Sequence, residues 1–208
     1  MKNRLHDKKA GIVILVALIV ISLAEIIFRA LVTKEMRFTT SNLGEQLSVI
    51  ILALTILILT AKGKDRASYL CLGAWIAYFV LDQVFELPGV ILGIINQISQ
   101  SETIPVFVEI GAFVRVLGMV SIIPIGVLLV EYMNDGTIYA KAFNSICITT
   151  VLLLLLNIAF SIYGAVVVMP NFALDTFNSL YRLTMVFLFT FFAYDSAKNQ
   201  LSKVNFSK

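Results

Sequence analysis

A chain of 208 residues with 59% hydrophobic and 14% charged residues, at a mean hydropathy of +0.93, lies outside the composition of soluble domains. Its formal charge of +3 comes from scattered lysines and arginines rather than from a contiguous basic face, which argues against nucleic acid as a partner. Six apolar stretches, approximately 10–32, 43–61, 67–87, 104–130, 142–169 and 176–194, take up most of the chain and leave no room for a separate soluble domain. Each approaches the roughly 20 helical residues needed to cross a ~30 Å hydrocarbon layer. The fold class this predicts is an all-α polytopic membrane protein, a single integral domain of six transmembrane helices in a compact bundle.

The first stretch follows Lys2, Arg4, Lys8 and Lys9, as a signal peptide would, but its apolar run is too long for one. Glu25 and Arg29 stand where a cleavage pattern would be, so a retained signal anchor is expected. These two residues are four apart and stack on one helical face, where an internal ion pair is the least costly way to keep both in a membrane. The second stretch opens with Glu45 and Gln46 and leads into a tight turn at 62–66, rich in basic residues.

The third stretch places Tyr78, Asp82 and Glu86 at successive i,i+4 positions, with Gln83 beside them. Two like charges on one stripe need an arginine from another helix between them, or one acid must hold a proton. Pro88 reads as the end of this helix, and 89–98 as a short apolar segment at the membrane interface or folded in as a lid. The fourth stretch carries Glu109 and, near mid-bilayer, Arg115. An arginine at that depth on a lipid face is expensive, so Arg115 is expected to turn inward and join Asp82 and Glu109, with Glu25 a further candidate.

Asn134-Asp135-Gly136 marks the next turn. In the fifth stretch Asn157, Ser161 and Gly164 form a stripe suited to a helix contact with a side-chain hydrogen bond. Pro170 stops that helix, and the sixth brings Asn178 and Arg182, with Asp175 just outside. Cys71 and Cys147 are isolated and read as packing residues. The only histidine, His6, sits in the polar N-terminal tail. That disfavours His-based catalysis, a zinc site and Ser or Cys relays, so no catalytic residue, metal or cofactor is assigned.

Lysine and arginine fall mainly in the segments that share a side with the N-terminus, and only Lys34 and Arg37 in the opposite loops. The positive-inside bias puts both termini in the cytoplasm. Glu25, Arg29, Asp82, Glu86, Glu109, Arg115, Asn157 and Arg182 then fall at related depths toward the outer side of a cell membrane. A nearly balanced set of acids and arginines suits a polar or zwitterionic ligand. The functional expectation is a membrane component that binds or transports a polar or amphipathic small solute through an outer-facing charged cavity. The alternative is a sensor, assembly or immunity-type protein whose ion network positions helices for a membrane-protein partner.

Two resemblances bear on this. Ala24-Glu25-Ile26-Ile27-Phe28-Arg29-Ala30 resembles part of the Glu-Glu-x-x-x-Arg helix of the CAAX-processing and bacteriocin-immunity intramembrane proteases. Ala24 replaces the first glutamate and no later helix offers a histidine, so no catalytic role is carried over. In size and number of spans the chain also resembles the substrate-binding membrane subunits of vitamin uptake transporters, an analogy of dimensions without a shared motif.

Overall fold

The structure, a computed structural model, describes residues 8–32, 40–100, 106–134, 140–167 and 172–205. It is all-helical: α1 (Lys8–Val32), α2 (Thr40–Ala61), α3 (Asp65–Gln100), α4 (Val106–Asn134), α5 (Ala140–Val167) and α6 (Phe172–Asn205). The turn expected at Asn134-Asp135-Gly136, the stop at Pro170, and His6, Lys34 and Arg37 lie wholly or partly outside the described residues.

Helices α1 to α5 are long and apolar enough to cross a membrane, which gives the chain the character of a multi-pass membrane protein. Their apolar surface is not confined to one stripe. Val13, Ile51, Leu70, Phe85, Val127 and Leu152 are all exposed, as expected of helices whose outer faces meet lipid rather than water. Helix α6 is long enough but falls outside that group, because Asp175, Asn178 and Arg182 dilute its first half and a polar segment follows Asp195. Its middle compensates by burial: Met185, Val186, Leu188, Phe189, Phe192 and Ala193 are all buried.

The chain divides into two compact units. The first comprises residues 1–74 and 194–208. Within it α1 packs on α2, and Leu15, Leu18, Val49, Ala53 and Ile56 of these helices are buried. The α2–α3 connection is tight. Lys64 N–H donates to the Leu59 carbonyl and Gly63 N–H to the Thr60 carbonyl, the paired bonds of a Schellman close. Gly63 takes the left-handed φ of 68° that this close requires, which a side chain would resist. Thr60 Oγ1 then donates to Ser68 Oγ at 3.1 Å, tying the end of α2 to the first turn of α3.

The second unit, 75–193, holds the rest of α3, α4, α5 and most of α6. Small residues set its helix contacts, as is usual where no hydrophobic driving force separates helix from lipid. Gly118 faces Leu154 and Gly111 faces Phe160 along α4 and α5. Gly126 lets α4 approach α3 so closely that an added Cβ would sit 2.7 Å from a methyl of Val80. Phe79 is the hub of the apolar core, edge-on to Tyr181 at 5.5 Å and to Phe189 at 5.8 Å between ring centres.

Helix α3 corrects the reading of Pro88 as a stop. The helix continues through Pro88 for 36 residues in all, so 89–98 prolongs it rather than forming a separate element. Proline removes one backbone donor and crowds the preceding turn, at a cost of ~3 kcal/mol. The apolar run 90–95 has no water to hydrogen-bond its backbone if it meets lipid, and helix is then the state that satisfies it.

Candidate functional site: a polar layer among α3, α4, α5 and α6

Four helices bring polar side chains to one level of the second unit. Arg115 lies nine residues into α4, Arg182 ten residues into α6, and Asn157 ten residues before the end of α5. At 1.5 Å per residue these are depths of ~14–15 Å from the corresponding helix ends. Helix α3 contributes Asp82, Gln83 and Glu86 near its middle.

Arg182 organises the α3 side. Its Nε donates to Gln83 Oε1 at 2.8 Å and its Nη2 to Glu86 Oε2 at 3.2 Å. Its side chain is only 7% exposed, whereas that of Glu86 is 42% exposed. The like-charge stripe thus receives an arginine from another helix, one of the two arrangements its sequence demanded. Asp82 is half-buried and within electrostatic reach of both Glu86 and Arg182.

Arg115 does not join Asp82 and Glu109 as its depth in the sequence suggested. Its Nη1 donates to Asp175 Oδ1 at 2.7 Å, and the two side chains are 28% and 29% exposed. The reason is rotational. Glu109 lies six residues before Arg115, which places it on a different face of α4, and it is exposed. Asp175, which the sequence places just outside the last span, belongs to the first turn of α6, where a carboxylate also complements the positive helix end.

Asn157 completes the layer. Its Nδ2 donates to Ser179 Oγ at 2.8 Å, and that hydroxyl donates to the Asp175 carbonyl at 2.7 Å. Ser161 Oγ donates to the carbonyl of Asn157, closing the α5 stripe onto its own backbone. Asp175, Ser179 and Arg182 stand at i, i+4 and i+7 on α6, a helical-face spacing through which Ser179 could have been found in the sequence. Replacing Asn157 with Leu removes the α5–α6 bond and leaves the buried Ser179 with its own backbone bond. A loss of about 1 kcal/mol, read as a lower melting temperature in mild detergent, is the expected result.

Glu25 and Arg29 lie in the first unit. Arg29 Nε and Nη2 both donate to Glu25 Oε1, at 2.8 and 2.6 Å, and the Glu25 side chain is 2% exposed. This is the intrahelical pair that their spacing predicts. Asp195, also in the first unit, is buried and partnered, a polar group that the sequence reading passed over. Among the aromatic residues near the charges, Trp75 and Phe79 are core, while Tyr78, Phe85, Phe113 and Tyr163 are exposed. Cys147 is buried against Thr190 and Cys71 is half-buried. Among the described residues no three His, Cys, Asp or Glu side chains come together as a metal site.

The layer is therefore a hydrogen-bonded set of arginine donors and carboxylate acceptors on a membrane-protein scaffold. No protein-family model, curated protein or solved structure matches the chain.

Proposed function

We propose that this is a six-span cell-membrane protein that binds or transports a polar or amphipathic small solute at the layer formed by Asp82, Glu86, Arg115, Asn157 and Arg182. In this reading α6 is the sixth crossing, both termini are cytoplasmic, and the layer opens to the outer side. The bias of lysine and arginine supports the topology. The observation that carries the function is incomplete closure. Arg115, Asp175 and Glu86 keep between a quarter and nearly half of their side-chain surface accessible. The Glu25–Arg29 pair of the first unit is less open, with Glu25 2% and Arg29 19% exposed. Glu25 and Arg29 are satisfied by each other, and Glu109 is exposed, so the proposal does not depend on them.

The test is purification of the full chain in mild detergent, followed by mass spectrometry of retained small molecules. A reproducible ligand in the wild type, depleted in Arg115→Ala at equal folded yield, is the expected result. No retained ligand in well-folded protein would sink the reading.

A second reading, assembly with another membrane protein, is favoured by Gly89 and Gly93. They lie four apart on α3, and an added Cβ at either would meet nothing within 4 Å. An open small-xxx-small stripe is a common surface for helix association. Stoichiometric recovery of one membrane partner, weakened by Gly93→Leu, would favour this reading over the first.

A further inference from the structure

The two arginines of the layer are not used alike. Arg182 spends the Nε/Nη2 edge of its guanidinium on Gln83 and Glu86. Arg115 donates to Asp175 through Nη1, and its Nε is buried without a partner. Nε and Nη2 share one edge of the guanidinium plane, and two parallel N–H groups on that edge match two oxygens of a carboxylate or phosphate. Thr176, next in the chain to Asp175, buries a second polar atom without a partner. Among the described residues of the second unit these are the buried side-chain polar atoms left unmatched, and both can donate. Among the acids, Glu86 is engaged by Arg182 and Asp175 by Arg115, while the half-buried Asp82 is within electrostatic reach of Arg182 without a hydrogen bond to it. Among the buried atoms, the unfilled demand of Arg115 Nε is for an acceptor.

We infer that the Nε/Nη2 edge of Arg115 binds an oxyanion, the carboxylate or phosphate group of the ligand, while Asp175 holds the same guanidinium from its Nη1 side. This rests on the solute-binding reading and adds the charge class of the ligand. A buried N–H on a charged guanidinium is costly to leave unmade, and an anionic oxygen is the acceptor that best repairs it. Thr176 is the nearest candidate in the chain for a further donor. The oxyanion reaches the site either as a free solute or as a lipid headgroup, and the chemistry of recognition is the same.

The experiment uses the full chain in phosphatidylcholine nanodiscs. Inorganic phosphate and acetate are titrated from the aqueous phase, and native mass spectrometry scores retention of phosphatidylglycerol against phosphatidylcholine. Saturable binding of either small anion identifies a free solute; selective retention of phosphatidylglycerol identifies a lipid headgroup; either supports the inference. Arg115→Lys keeps a cation beside Asp175 but has no two-donor edge, and weakens the oxyanion about tenfold or more. Asp175→Asn removes the negative charge beside the guanidinium and tightens the oxyanion. A merely structural Arg115 would lower thermal stability in both variants without moving affinity in opposite directions.

Wild-type affinity in folded Arg115→Lys overturns the inference. Should that variant not fold, unchanged or weaker binding in Asp175→Asn overturns it instead. A neutral or cationic molecule that copurifies equally with wild type and Arg115→Lys refutes the oxyanion while leaving the solute-binding reading in place. Folded wild type that retains neither small molecule nor lipid refutes both.

Discussion

Replacing Arg182 with Leu is expected to be among the most damaging single changes in the second unit, lowering stability by about 2–4 kcal/mol. Gln83 is buried and its amide oxygen accepts from Arg182 Nε. Without the guanidinium that oxygen loses its bond, and Glu86 loses its counter-charge to face Asp82 uncompensated. The partial exposure of Glu86 moderates the loss, since that carboxylate keeps some access to solvent or headgroups. Arg182→Lys should fall between wild type and Leu, because one ammonium cannot reproduce the two directed bonds to Gln83 and Glu86. Thermal unfolding of the purified protein at constant detergent reads the order wild type, Lys, Leu. Equal melting temperatures for all three would show that the pairing has no energetic role.

Gly126→Ala is the second large effect, and it should be rescued from a distance in the chain. The new Cβ would lie 2.7 and 2.9 Å from the two Val80 methyls, closer than carbon atoms pack, and Val80 is β-branched with little rotameric freedom to yield. Overpacking of this kind costs about 1–3 kcal/mol, through displacement of α3 from α4. Val80→Ala removes both offending methyls. The double variant should be more stable than the Gly126→Ala single, whereas two independent defects would simply add. If Val80→Ala merely adds its own loss, the contact is not what limits approach of the two helices.

The helices were legible because membrane spans are read from length and composition, which need no knowledge of neighbours. The sequence-derived 43–61 is contained in α2, and the turn at 62–66 corresponds to the Gly63 close. Partners were harder to read. Depth along a helix follows from counting residues, but which acid meets Arg115 depends on how α4 and α6 are rotated about their axes. Helices apolar on all sides carry little periodic signal to fix that rotation. Glu109 could have been set aside from its spacing alone, whereas Asp175 could not be chosen without placing the start of α6. Pro88 misled for a related reason. Its local preference is to break a helix, while the apolar residues beyond it favour keeping one, and the sequence does not announce which preference wins.

The continuation of α3 has a consequence for the lipid around it. The apolar span within this helix, Arg66–Gly93, has 28 residues, and a rise of 1.5 Å per residue makes it ~42 Å long against a ~30 Å hydrocarbon layer. Most of that length is apolar, and Ile91, Leu92 and Ile95 beyond Pro88 remain exposed. Such a helix meets a bilayer with positive hydrophobic mismatch, relieved by tilting, by bending where Pro88 has already removed a backbone bond, or by thickening the lipid nearby. Because Gln83 and Glu86 ride on the same helix, its tilt is mechanically joined to the pairing with Arg182. Lipids of short and long acyl chain are therefore expected to present the polar layer in different geometries.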